Sequence, residues 1–203
     1  MMRAAPTQVG RILFLLALGT LSAPSFGAIE IFGKGSISKN HLSRTNFVTT
    51  VSAATGFAIT LIPQLRIEGR YTSNGSLQKR LDATSGAVSF ILDDIKTQTT
   101  IYSVGLDIDI LSAKHAFTPF VFIGAGYVKS ERSYYVRADE ASAPVYITDP
   151  IQTGITANVG AGFRLRVARA IAFEVEAFAY GIDVHKPNPL VNVYGTVGLR
   201  IFL

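Results

Sequence analysis

Asp107 with Asp109 and Glu174 with Glu176 are carboxylate pairs spaced two residues apart. Two carboxylates flanking a cleft are the equipment of a glycosidase, one protonating the leaving oxygen while the other attacks or activates water. A spacing of two puts both members on one face of a strand. The same parity recurs among other charged residues. One strand face would collect Glu30, Lys34, Arg66, Glu68, Arg70, Asp107, Asp109, Arg164, Arg166, Glu174, Glu176 and Arg200, six acids and six bases. Arg164 and Arg166 would lie on the strand beside Glu174 and Glu176. The pattern therefore predicts a mutually neutralising salt-bridge network rather than carboxylates free to exchange protons with a substrate, and no catalytic residue is assigned from it.

Other candidates for chemistry are few. His41 and His185 fall in long connections and His115 in a short turn at the opposite rim, which excludes a three-ligand metal cluster. Ser43 near His41 and Asp183 near His185 are the closest material for a rim hydrolase, and no Gly-x-Ser-x-Gly accompanies them. Gly124-Ala125-Gly126-Tyr127 and Gly160-Ala161-Gly162-Phe163 resemble half of a dinucleotide fingerprint, but strands follow where a helix would have to hold the pyrophosphate. With Cys 0, thiol chemistry, zinc ribbons and disulfide scaffolds are excluded. No enzyme activity, metal or cofactor is expected.

The elements that must position these residues follow from hydropathy. Of 203 residues 48% are hydrophobic and 16% charged, with a mean hydropathy of +0.33. That charge fraction is below the ~25% of soluble domains. Residues 1–27 read as an export signal. Arg3 and Arg11 supply positive charge, Ile12–Leu18 is an unbroken apolar run, and small residues lead to Gly27. The run is too short to span ~30 Å of hydrocarbon, and no other segment approaches that length. Removal of the signal leaves residues 28–203 as one domain, with 17 basic and 14 acidic residues. No block of like charge stands out, so no nucleic-acid partner is expected.

From Ile29 onward apolar residues alternate with period two. Val191, Val193, Gly195, Val197, Leu199 and Ile201 share one parity. Tyr102, Val104, Leu106, Ile108 and Ile110 repeat it, as do Leu65, Ile67, Gly69 and Tyr71. The pattern predicts eight strands, near 29–37, 46–60, 65–73, 98–111, 117–129, 153–167, 171–180 and 190–203. The fifth is apolar on both faces, so its parity does not orient it. Short connections alternate with longer ones at 38–45, 74–97, 130–152 and 181–189, as in a hairpin barrel with one plain and one elaborated rim.

Sidedness follows from charge. A soluble barrel would keep its apolar face inside and would need a more polar remainder than this chain has. The inverted arrangement turns the apolar face to lipid and encloses the charges, which then must pair. Tyr71, Tyr102 and Tyr127 fall on the outward face about six to eight residues from a short turn, a height of roughly 15–20 Å. There a tyrosine ring would sit in lipid with its hydroxyl among headgroups. Inward glycines, Gly105, Gly124, Gly126, Gly160, Gly162 and Gly198, would leave room for long arginines.

These features resemble the small OmpA/OmpX-type outer-membrane β-barrels of Gram-negative bacteria. The resemblance is carried by the export signal, Ile29-Glu-Ile-Phe-Gly-Lys-Gly-Ser36, Leu65-Arg-Ile-Glu-Gly-Arg-Tyr71, Phe117-Thr-Pro-Phe-Val-Phe-Ile-Gly-Ala-Gly-Tyr127 and the ending Tyr194-Gly-Thr-Val-Gly-Leu-Arg-Ile-Phe-Leu203. It implies an all-β, eight-stranded antiparallel up-and-down transmembrane barrel, monomeric in the outer membrane. It also implies contact with outer-membrane lipid and lipopolysaccharide, and a last strand read by the barrel-assembly machinery. Such proteins commonly end on an aromatic residue; here Phe202 precedes Leu203. The role expected is structural or adhesin-like, through loops 74–97 and 130–152 and a protein partner there. The alternatives are a narrow small-solute channel and a rim enzyme acting on lipid A.

Overall fold

The computed structural model describes residues 27–41, 47–85, 88–111, 115–182 and 190–203. The expected signal peptide lies outside the described residues except for Gly27. Among those described, the chain forms strands and no helix: β1 (Ile29–His41), β2 (Phe47–Ile62), β3 (Leu65–Ser85), β4 (Val88–Asp109), β5 (Phe117–Arg137), β6 (Val145–Thr148), β7 (Gln152–Ala168), β8 (Ile171–Ile182) and β9 (Leu190–Phe202). Every pairing is antiparallel. Eight strands close a ring, β1-β2-β3-β4-β5-β7-β8-β9, and β9 returns to β1. That seam is short, running only from Glu30 opposite Phe202 to Gly35 opposite Val197.

The expected barrel is present, with two differences in its elements. Of residues 74–97, expected as a long connection, 74–85 and 88–97 are strand: β3 and β4 stay paired up to Ser85 opposite Val88. A short extra strand, β6, pairs with β5 beyond the point where β7 stops. β6 and β7 continue one line interrupted at Asp149–Ile151, where Pro150 has no amide hydrogen to give a ladder. The sequence leaves both open: residues 134–147 read as able to continue the fifth and sixth strands as a hairpin, and residues 87–95 as an extension of the fourth strand or a short helix. Leu92 and Ile95 are buried there.

One rim is plain. The turns at Pro63–Gln64 and Arg169–Ala170, the described residues 110–111 and 115–116 and both described chain ends lie there. Main-chain bonds tie it together, with Asp109 N donating to Gln64 O at 2.8 Å, Arg166 N to Ala116 O at 2.7 Å and Leu203 N to Ile29 O at 2.9 Å. From the other rim β3, β4, β5 and β6 rise as a sheet above the ring.

The wall is apolar outside and ionic inside. Val104 is 62% exposed, Ile155 63% and Val193 71%, while Glu30, Glu68, Asp107, Glu174 and Arg200 are fully buried. A ring with this polarity is the transmembrane β-barrel solution, in which every strand edge is paired and lipid meets only apolar side chains. Tyr71, Tyr102 and Tyr127 stand directly opposite one another across β3, β4 and β5, all outward. Tyr71 and Tyr102 have ring centroids 5.3 Å apart. Toward the plain rim the outward residues are Ile67, Val104, Leu106 and Ile123; toward the other rim they are Ser73, Thr100, Gln98 and Lys129.

This change of polarity sets a quantitative expectation. Leu106→Arg, in the apolar band, should cost about 2–4 kcal/mol of stability, and Thr100→Arg, just past the tyrosines, about 0–1 kcal/mol. Urea unfolding in lipid vesicles measures both, and equal costs would contradict the assigned sidedness.

Candidate functional site

The lumen is layered, and the alternation of each strand places its layers. Nearest the plain rim is an ionic layer. Arg200 of β9 reaches four carboxylates. Its Nε donates to Glu174 Oε1 at 2.6 Å, Nη1 to Glu30 Oε2 at 3.0 Å, and Nη2 to Glu68 Oε2 at 2.7 Å and Asp107 Oδ2 at 3.2 Å. Arg66 of β3 donates to Glu30 Oε1 at 2.7 Å and Asp109 Oδ2 at 2.8 Å. Arg164 of β7 bonds Glu174, directly opposite on β8, together with Asp107 and Asp109 across the lumen. Lys34 Nζ lies 2.9 Å from Glu174 and 2.8 Å from Glu176. Arg70 Nη2 lies 2.6 Å from Glu68 and 3.1 Å from Glu176. Eleven of the twelve charged residues singled out in the sequence are therefore inside and linked by these ion pairs. Arg166 is half-buried at the plain rim, its guanidinium 4.5 Å from the Phe202 ring.

Space for these side chains comes from glycine. Gly198 faces Lys34, Gly105 faces Glu68, and Gly162 faces Glu176 on the neighbouring strands. A Cβ on Gly198 would stand 2.7 Å from Lys34 Cγ, and one on Gly160 would collide with Glu176 Oε1. The nearest side chains at these glycines are Lys34, Glu176 and Phe122, where arginines were expected.

Aromatic rings that sequence reasoning did not resolve lie within this layer and above it: Phe32 stands between Glu30 and Lys34 on β1, and Phe120 is opposite Asp109 of β4. Arg70 stacks 4.2 Å from the Phe122 ring centre and 4.6 Å from that of Phe178. Arg164 lies 4.0 Å over Phe120, and Arg200 4.8 Å over Phe32. Guanidinium groups desolvated in this way gain from the negative face of the ring. Phe120 and Phe122 are why β5 reads as apolar on both faces. The double-sided apolar run was the available signal.

The third layer is neutral and polar. Ser52, Asn74, Thr99, Thr156, Asn158 and Thr196 point inward beside Ile101, Val128, Tyr180 and Tyr194. A cavity of about 370 Å³ opens from it toward the elaborated rim.

Chemically the ionic layer is locked. Each member of both carboxylate pairs has a cation within ion-pairing distance, which leaves neither pair in the state an acid–base couple needs. His115 is exposed at the plain rim, and the backbone of His41 ends β1 at the other. Ser43, Asp183 and His185 lie outside the described residues. Among the described residues no group of three potential ligands is placed to hold a metal.

Beyond the ring, the β5–β6 hairpin is well tied. Tyr134 Oη donates to Asp149 Oδ1 at 2.9 Å, a bond that raises the tyrosine's pKa. Arg137 pairs with Asp93 at 2.6 Å. In the connecting turn the Ser142 hydroxyl and the amides of Ser142 and Ala141 donate to Asp139 Oδ1, holding its carboxyl below the usual range. Tyr135 and Tyr146 pair with centroids 5.2 Å apart, and Val145 and Tyr146 are 61% and 59% exposed.

The fold and lumen define a small eight-stranded transmembrane β-barrel of the outer-membrane type. Among solved structures, the chain is similar to Neisserial surface protein A, at 18% identity and TM-score 0.48, over 86% of this chain and 98% of that one. It is similar to Ail of Yersinia pestis in complex with the heparin analogue sucrose octasulfate, at 11% identity and TM-score 0.44, over 88% and 100%. The N-terminal β-barrel domain of Pseudomonas aeruginosa OprF aligns at 14% identity and TM-score 0.40, over 88% and 98%. No protein-family model and no curated protein matches the chain.

Proposed function

We propose that residues 1–27 direct export and are removed, and that residues 28–203 form a monomeric barrel in the bacterial outer membrane. There it serves surface interaction rather than catalysis. The lipid around it includes lipopolysaccharide, Tyr71, Tyr102 and Tyr127 mark the membrane edge, and the barrel-assembly machinery engages the last strand. The paired lumen charges act as a plug, so the barrel is a support and not a conduit.

The observation that carries this reading is the β3–β4–β5–β6 sheet raised beyond the tyrosine row. Its β6 edge exposes Val145 and Tyr146, and an unpaired strand edge with aromatic side chains suits addition of a partner strand. Acids and bases are mixed along it: Lys79 pairs with Asp94, Lys129 with Glu131 and Arg137 with Asp93. That balance favours a protein partner over a polyanion.

The test uses bacteria lacking other adhesins. Cells displaying the protein should adhere to at least one of a panel of immobilised matrix and serum proteins. Val145→Pro combined with Tyr146→Lys should remove most of that adhesion while leaving the heat-modifiable gel band intact. Equal adhesion of cells with and without the protein, or of the variant and the original, would end this reading.

A further inference from the structure

The cavity at the elaborated end of the lumen has a chemistry that neither the plug nor the raised sheet requires. Its volume of about 370 Å³ falls within the ~300–1,000 Å³ of small-molecule sites. Among the described residues that line it none is acidic or basic, although the layer below is ionic. Most of the described lining residues carry a hydroxyl or an amide, Asn74, Thr99, Ser130, Gln152, Tyr180 and Asn192 among them, beside Val48 and Val128.

Two of these, Asn74 and Thr99, are each only 7% exposed. They are preset by partners: Asn74 Nδ2 donates to Tyr180 Oη at 3.5 Å, the Ser52 hydroxyl donates to Asn74 Oδ1, and Thr99 Oγ1 bonds Ser130 Oγ at 3.1 Å. An amide and a hydroxyl carry more donor and acceptor sites than a single such bond uses. Among the described lining residues Tyr180 alone is aromatic, and further rings pack behind it. Tyr180 packs against Tyr194 at 6.1 Å between centroids, and Tyr194 against Phe178 at 5.4 Å.

Three classes of occupant can be weighed. An ion would leave water without a counter-charge in the lining, which costs several kcal/mol. An apolar molecule would take the remaining donor and acceptor sites of the lining out of water without pairing them, at about 1–3 kcal/mol for each site so buried. A neutral polyhydroxylated ring meets both demands, since its C–H face covers aromatic carbon and its hydroxyls bond amides and hydroxyls. We propose that this vestibule binds a single neutral sugar residue, entering from the elaborated rim and stopped by the Arg70–Phe122–Phe178 layer. The proposal is independent of the adhesive role, and the two fail separately.

The experiment uses the refolded barrel in dimethylamine-oxide micelles, which carry no sugar headgroup. D-glucose, D-galactose and N-acetyl-D-glucosamine are titrated by calorimetry, with D-galacturonate as the charged control. Saturable binding of at least one neutral sugar with a Kd of about 1–10 mM is expected, and at least about tenfold weaker binding of galacturonate. Asn74→Leu should weaken the neutral sugar at least about tenfold through an unpaired hydroxyl and lost space. Thr97→Ile at the cavity mouth provides the same reading should Asn74→Leu lose its heat-modifiable band. Absence of saturation by every neutral sugar up to about 100 mM, leaving water as the sole occupant, would overturn the proposal. So would galacturonate binding as tightly as the neutral sugar, or unchanged affinity in the folded variants.

Discussion

Arg200→Met will cost the barrel about 3–5 kcal/mol, the cost of breaking one side of a buried ionic cluster. The side chain is fully buried and serves Glu30, Glu68, Asp107 and Glu174 at once. Removing it leaves six buried acids facing Lys34, Arg66, Arg70 and Arg164, with Arg166 half-buried at the rim. Each of the four carboxylates keeps at least one other cation: Arg66 for Glu30, Arg70 for Glu68, Arg164 and Arg66 for Asp107, and Arg164 and Lys34 for Glu174. That bounds the loss and keeps the variant measurable. Urea unfolding in vesicles reads the stability, and heat-modifiable gel mobility reads closure. Adding Glu68→Gln to Arg200→Met removes one charge of each sign and should recover at least about 1–2 kcal/mol as a coupling between contacting residues. A single variant as stable as the original would mean that the ionic layer is hydrated rather than enclosed.

The second large effect concerns current. The original protein should show no resolved single-channel steps in planar bilayers, because an eight-stranded lumen holds side chains and little else. Arg70→Ala should open it. Arg70 fills the gap between Phe122 and Phe178 and anchors Glu68 and Glu176, so it separates the neutral cavity from the ionic layer. Its loss leaves two carboxylates facing new free space. Unitary current should rise at least about tenfold and favour cations, since a ring of carboxylates selects for them. Large steady conductance in the original protein would favour the small-solute channel instead. A silent Arg70→Ala would show that the aromatic rings close the lumen alone.

How far the sequence could be read depends on what each face touches. Where one face meets lipid and the other a crowded lumen, alternation is strict, and β8 and β9 were legible to within two residues of their ends. Above the tyrosine row the outward face meets water and the inward one is hydroxyl and amide, Asn74 and Thr99 among them. Ser73-Asn-Gly-Ser76 carries no apolar rhythm, so the upper part of β3 reads as loop, while residues 87–95 read equally as an extension of the fourth strand or a short helix. β5 failed differently, because its inward Phe120 and Phe122 serve as platforms for Arg164 and Arg70 and give it oil on both sides. The charged residues could be gathered onto one face by parity alone. Their partners could not, because Arg200 with Glu30 and Arg164 with Asp109 depend on how the strands stagger around the ring. The uncharged vestibule had no signature, since threonine, serine and asparagine are ordinary inward residues in any strand.

The β1–β9 seam has a consequence for biogenesis. Arg200 and Glu30 are separated by 170 positions in the chain, so the ion cluster cannot be completed until the two ends of the polypeptide meet. Before that moment its carboxylates and guanidinium groups need water. A half-built sheet therefore cannot rest flat in the bilayer with that face against acyl chains. Entry into lipid and sealing of the cylinder must be one concerted event, with the hydrated interior shed as the final hairpin zips against the first.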